Sequence, residues 1–263
     1  MATIDIGIYS LGYAFLLLLI PLFLSHIYGL DMARPLLYSV FRMCLQLVFI
    51  GLFLKYIFNI NSAILNLLWL IAMIVVAVFS AIKRSSFKLS KLVFPTFVSF
   101  FVATFIVLLW INVFVIRLDY VFDARYLIVL GGMLLGNSLR GNVVGVSSFY
   151  QDIRQNYKRY LYLLSCGATV FEATLPFLRK SVNLALQPTL ASMATMGIVA
   201  LPGMMTGVIL GGASPLVAIK YQIMIMIAIL VSTIFSVLST IVMTRYICFF
   251  PSGTLAFDIF IDR

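Results

Sequence analysis

The sequence predicts an all-α membrane protein, a polytopic bundle of about seven transmembrane helices. Three observations carry that prediction. Of its 263 residues, 63% are hydrophobic and 10% charged, with a mean hydropathy of +1.16; a water-soluble globule of this length could not bury so much apolar side chain. Apolar runs of about 20 residues, enough to cross the hydrocarbon core, recur along the chain. The basic residues behind the net charge of +10 fall between those runs. They do not form a groove interleaved with aromatics, so they read as topology signals and not as a nucleic-acid surface.

The first run, 8–27, has no basic segment before it and no small-residue cleavage pattern after it, so it is expected to be retained and not to act as a secretory signal. The second, 37–58, and the fifth, 127–147, are long enough to span although Arg42 and Arg140 interrupt them. The third, 63–82, the fourth, 92–115, and the seventh, 221–243, carry no charged residue. The sixth, 189–210, contains the stretch MGIVALPGMMTG that begins at Met196. Gly203, Gly207 and Gly211 recur there every four residues, so they line one helix face and would let another backbone approach closely. Pro202 beside them removes a helix hydrogen bond and predicts a kink that can act as a hinge.

Cytoplasmic loops carry the excess of Lys and Arg. Lys83, Arg84, Lys88 and Lys91 follow the third run, and Arg154, Lys158, Arg159, Arg179 and Lys180 precede the sixth. An odd number of spans places both groups on one side, with Arg34 and the tail residues Arg245 and Arg263. The loop 117–125 sets two arginines against Asp119 and Asp123 and falls on the other side. The expectation is an N-terminus outside and a cytoplasmic C-terminus.

Residues 1–263 read as a single transmembrane domain without repeats or low-complexity linkers. The cytoplasmic connection, about 149–188, is too long for a turn and too apolar for disorder. A break at Gly167 and prolines at 176 and 188 suggest a pair of short helices along the membrane face, either resting on lipid or meeting a partner.

Several segments carry a family resemblance: RMCLQLVFIGLFLKYIF from Arg42, LGNSLRGN from Leu135, LSCGATVFEA from Leu164, ALQPTLASMATMGIVALPGMMTG from Ala185 and ASPLVAIKYQIMI from Ala213. From about Arg34 to Met243 the chain resembles the Fet-type iron-export ABC permeases of bacteria and is similar to plant aluminium-tolerance permeases. The resemblance implies a multi-pass permease subunit of the cytoplasmic membrane that pairs, as a homodimer, with a separate ABC ATPase subunit to export a metal ion or small solute. The chain contains no GxxxxGK[ST] phosphate loop. It is therefore expected to be no enzyme and to hold no cofactor, with ATP and magnesium bound by the partner. Gly167, Ala168, Thr169 and Glu172 are the expected docking point for that ATPase. Related importers use an EAA-type loop for this, and Leu161, Tyr162 and Leu163 stand here where its triplet would be. The alternative is a helix break with an exposed glutamate.

Polar groups within spans are costly and face a bundle interior or a path. Arg42 and Gln46 share a helix face and either line a path or, for Arg42, reach the headgroups. Asn137 follows Gly132 and Gly136, a pattern that serves helix packing or a solute path. Met193, Met196, Met204 and Met205 are soft thioether donors or adaptable packing residues. With Pro202, Gly203, Gly207 and Gly211 as hinge and contact face, the expected path runs between the second, fifth and sixth spans.

No metal-ligand set is identifiable. His26 stands alone, and Cys44, Cys166 and Cys248 have no CxxC spacing. The eight acids are scattered and lie mostly in loops, which argues against a membrane-embedded enzyme and against a hard-oxygen site for ferric iron or aluminium. A secondary carrier or channel would show intramembrane acids or inverted repeats, and neither is evident. Periodicity alone leaves a non-transporting assembly protein open.

Overall fold

Residues 7–85, 89–250 and 253–256 are described by a computed structural model. Ten α-helices occupy most of the described chain: α1 (Ile8–Leu16), α2 (Leu19–Ile27), α3 (Ala33–Ile60), α4 (Ala63–Arg84), α5 (Leu89–Trp110), α6 (Ala124–Gln155), α7 (Tyr157–Ser165), α8 (Val170–Thr195), α9 (Gly203–Leu210) and α10 (Pro215–Cys248). A π-helical turn, Ile111–Val115, follows α5. Among the described residues β-pairing is limited to two isolated bridges. Lys88 and Arg263, counted above as basic loop residues, lie outside the described residues.

Among the described residues six helical segments are long and apolar enough to cross a membrane: Tyr9–Ile27, Ala33–Ile60, Ala63–Arg84, Leu92–Val115, Ala124–Gln155 and Pro215–Cys248. The expected sixth run, 189–210, is different. Its first part is the end of α8, 196–202 is irregular, and α9 follows. Leu201 precedes a proline, which disfavours helical backbone, and Pro202 itself has no N–H to donate. Gly197 adopts a positive φ of 86°, and its N–H donates to the Ala200 carbonyl at 3.0 Å in a closed turn. The anticipated kink is therefore a complete interruption. The region 149–188 also differs from the expected pair of short helices. The chain does turn at Gly167 (φ 87°), but α8 continues through Pro176 and Pro188 for 26 residues.

At the centre lies α6, against which α4, α5, α8 and α10 pack. Its contact with α10 is a polar seam: Ser138 meets Ser232 at 3.1 Å, Asn142 Nδ2 donates to Ser236 Oγ at 3.0 Å, and Tyr150 Oη donates to Thr244 Oγ1 at 2.7 Å. Each pair is separated by 94 residues, and a constant offset requires the two helices to run parallel. Gly141 and Gly145 permit their close approach. A Cβ at Gly141 would fall 2.5 Å from Thr233 Cγ2, and one at Gly145 would fall 2.8 Å from Val237 Cγ1.

Helix α4 runs in the same direction, since Asn66 Nδ2 donates to the Phe122 carbonyl at 2.8 Å near the start of α6, while Ser147 Oγ reaches the Ser85 carbonyl at 3.5 Å towards its end. Because α6 and α10 are parallel, the chain between them must return along the bundle. The interrupted α8 and α9 make that return. The C-terminal ends of α4, α6 and α10, with α7 and the start of α8, consequently gather Lys83, Arg84, Arg154, Lys158, Arg159, Arg179, Lys180 and Arg245 at one end.

Helix α3 is held mainly at its C-terminal end. Ile57 packs with Ala124 and Ile128, and Phe53 lies over Trp69 with centroids 4.4 Å apart. Asn61, in the left-handed region at φ 41°, ends the helix; its Oδ1 accepts from the Ala124 N–H at 2.9 Å and its Nδ2 donates to Asp123 Oδ2 at 3.2 Å. The rest of α3 presents large apolar side chains outward, as lipid contact allows.

Candidate functional site

A cavity of about 590 Å³ opens between α6, the end of α8, the 196–202 interruption, α9 and α10. Helix α6 supplies Met133, Asn137 and Arg140; α8 supplies Pro188, Thr189, Ser192 and Thr195; and α10 supplies Gln222 and Met226. Met196, Pro202, Gly203 and Met204 come from the interruption and the start of α9. Among the described residues Arg140 is the one charged side chain lining it.

Most polar groups here use their donors on protein atoms. Asn137 Nδ2 donates to the Met133 carbonyl at 2.8 Å, Ser192 Oγ to the Pro188 carbonyl at 2.8 Å, and Thr195 Oγ1 to the Ala191 carbonyl at 3.1 Å. Gln222 is buried; its Nε2 faces Met196 Sδ at 3.6 Å, and its Oε1 has no hydrogen-bond partner. Such a lining offers hydroxyl and amide oxygens as acceptors, thioether sulfurs, and one cation. Among the described residues no group of three His, Cys, Asp or Glu side chains is arranged to hold a metal.

The cavity brings together Asn137, Met196, Pro202, Gly203 and Met204 from the residues singled out in the sequence. Met193, Met205, Gly207 and Gly211 do not line it, nor do Arg42 and Gln46, which are exposed on α3. Its remaining wall comes from the seventh run, through α10, and not from the second. Among the described residues the glycine ladder has no packing counterpart: a Cβ at Gly203 or Gly207 meets nothing within 4 Å, and one at Gly211 meets only carbonyls of Gly207 and Val208. The close packing expected of it occurs at Gly141 and Gly145. Sequence reasoning passed over Gln222 and treated Arg140 only as an interruption. It also missed Thr189, Ser192 and Thr195, whose spacing of three residues marks a polar face on α8.

At the basic end, α7 and α8 meet at Gly167. Thr169 caps α8, accepting from the Glu172 N–H at 3.3 Å, while Glu172 Oε2 accepts from the Thr169 N–H at 2.8 Å. The hydrogen bonds from the Thr169 backbone and hydroxyl hold the Glu172 carboxyl below its ordinary value. Glu172 thus has a local task as a capping box, and Gly167, Ala168 and Thr169 form the turn that it closes. The Arg245 guanidinium sits 5.1 Å from the Phe171 ring centroid. Tyr160 Oη donates to the Gly253 carbonyl at 2.6 Å, and burial pushes its pKa up to about 12. The corner is therefore tied to the C-terminal end of α10 and the segment after it.

The family described as "Uncharacterised protein family (UPF0014)" matches residues 8–249. Among similar proteins, "Probable iron export permease protein FetB" of Escherichia coli is 34% identical over 216 residues, covering 82% of each chain. "Protein ALUMINUM SENSITIVE 3" of Arabidopsis thaliana is 32% identical over 257 residues, covering 96% of this chain and 90% of the relative. "UPF0014 membrane protein YjkA" of Bacillus subtilis is 30% identical over 224 residues, covering 85% and 88%. No solved structure matches the chain. A bundle of membrane-length apolar helices and a match over nearly its whole length together make this chain a multi-pass membrane protein that belongs to the UPF0014 family.

Proposed function

We propose that the chain is the permease subunit of an ATP-driven exporter that carries a metal ion or small solute across the cytoplasmic membrane. A separate ABC ATPase binds ATP and magnesium, and two copies of the permease assemble with it. The observation that carries this reading is the cavity, bounded by a helix whose backbone is interrupted where it meets the space. Irregular backbone at membrane depth is tolerated where it is buried or lines a cavity. The name of one relative, the probable iron export permease protein of E. coli, supports the same reading.

The two ends of α8 suggest how ATP hydrolysis reaches the cavity. Its N-terminus is the Gly167–Glu172 corner and its C-terminus is the cavity wall, roughly 39 Å away for 26 helical residues at 1.5 Å each. A push on the corner would move a rigid rod, and the interruption after Thr195 would absorb the displacement by hinge motion. The basic end, with α7 and this corner, is taken as cytoplasmic by the excess of Lys and Arg, which also accords with a cytoplasmic C-terminus.

The test is co-purification with a candidate ABC ATPase and reconstitution into liposomes. ATP hydrolysis stimulated by a solute, matched by ATP-dependent movement of that solute, is expected. A purified chain that binds no ATPase and moves solute without ATP would refute the proposal.

A further inference from the structure

Arg140 is the seventeenth of 32 residues in α6, roughly 23 Å from either end of the helix. A guanidinium so far from both helix ends is costly in hydrocarbon unless something compensates it. Among the described residues Arg140 takes part in no ion pair; the one described bridge joins Lys180 to Asp152. The described residues of a second copy offer no better partner. Asp31 and Asp119 lie in connections, Asp123 caps α6, Asp152 is in its last turn, and Glu172 is in the first turn of α8. None of these carboxylates lies at the depth of Arg140. Among the described residues no acid lines the cavity.

The geometry points to an anionic cargo. An oxyanion entering the cavity would supply the charge that Arg140 lacks, through a planar guanidinium suited to bidentate contact with carboxylate or phosphate. The rest of the lining specifies the other side of that cargo. The Ser192 and Thr195 hydroxyl donors and one of the two Asn137 amide hydrogens go to backbone carbonyls, and the buried Gln222 Oε1 has no partner. These oxygens can accept hydrogen bonds from a solute. The cargo class is therefore an organic oxyanion that also bears hydroxyl donors, either free or wrapped around a metal ion. A bare divalent cation is disfavoured, because Arg140 repels it and no carboxylate offsets that repulsion. This inference rests on the permease reading for the cavity's role as a transport site.

Equilibrium binding to the full chain in lipid nanodiscs, without any ATPase, tests it. The probes are citrate, Fe(III)-citrate, tricarballylate (citrate without its hydroxyl) and Fe²⁺ alone. Citrate or Fe(III)-citrate should bind, and Arg140→Gln should weaken that binding by about tenfold or more, as expected for loss of a charge-assisted contact. Arg140→Lys, which keeps the charge but loses the bidentate fork, should bind with an affinity between those of the parent and Arg140→Gln. Arg125→Gln, an equal charge change at the start of the same helix and away from the cavity, should leave it unaltered and controls for folding. Citrate binding without iron makes the free anion the cargo, whereas binding of Fe(III)-citrate alone makes it the chelate. Equal binding of tricarballylate would overturn the hydroxyl requirement. Failure of every anion to bind at millimolar concentration, an Arg140→Gln variant that binds them unchanged, or Fe²⁺ binding strengthened by that substitution would overturn the proposal. Failure of the permease reading would show separately, as a chain that couples to no ATPase whatever it binds.

Discussion

Single residues decide how closely the helices of this bundle approach. Without a hydrophobic drive between helices in lipid, small side chains set which faces can pack, and here Gly141 and Gly145 take that role against α10. Their replacement by Ala should destabilise the protomer by about 1–3 kcal/mol, since Thr233 and Val237 are stiff, β-branched neighbours that cannot yield cheaply. Thermal unfolding in detergent would measure it, with Gly207→Ala expected to be neutral or slightly stabilising as a reference. Glu172 gives a pH signature. Its carboxyl is held low in the folded state by Thr169, so the cap it forms is fully present above the unfolded pKa and is lost as pH falls through the folded one. Amide protection at the start of α8, relative to the intrinsic exchange rate at each pH, should therefore fall on acidification through and below the carboxylate range. Glu172→Gln should remove most of that pH dependence.

Among the elements, α8 stands out because one helix joins the capped corner to the cavity wall. Its length was not expected from the sequence, since Pro176 and Pro188 read as breaks. A proline costs one helix hydrogen bond and a local clash, which packing of α8 against α6 and α10 can override. After Thr195, by contrast, Gly197 and Pro202 act together and no neighbour restores the helix. Substituting Ala at Gly197, with its φ of 86°, should cost about 1–2 kcal/mol through the disfavoured left-handed backbone. The same change should alter the α8 to α9 geometry. Distances between spin labels on the two helices would register it, and an unchanged distance distribution with unchanged transport would remove the hinge role.

For the molecule as a whole, the packing is uneven. Helices α4, α5, α6, α8 and α10 form the core, whereas most of α3 and the glycine face of α9 are left exposed by the described residues. In the proposed two-copy assembly these are the surfaces left to a second permease or to lipid. Gly207→Leu is expected to weaken assembly while leaving protomer unfolding unchanged, because a Cβ there meets no described atom within 4 Å. Mass measurement of the purified complex would test this. A variant that kept its oligomeric state and its transport rate would exclude the ladder from any interface.

The membrane class, the limits of most long helices, the concentration of basic residues in particular connections and the turn at Gly167 are all legible in the sequence. Each is a local property: the length of an apolar run, the position of a charge, or the backbone demanded by glycine. Tertiary structure alone decided which small residues lie between helices, because Gly141 and Gly207 look alike until a neighbouring helix is placed beside one and not the other. It also decided that α10, and not the second run, closes the cavity, and that Arg140 lies there without a carboxylate. Those outcomes depend on the direction and register of helices 94 residues apart, which are set by interdigitating surfaces that no single stretch of sequence contains.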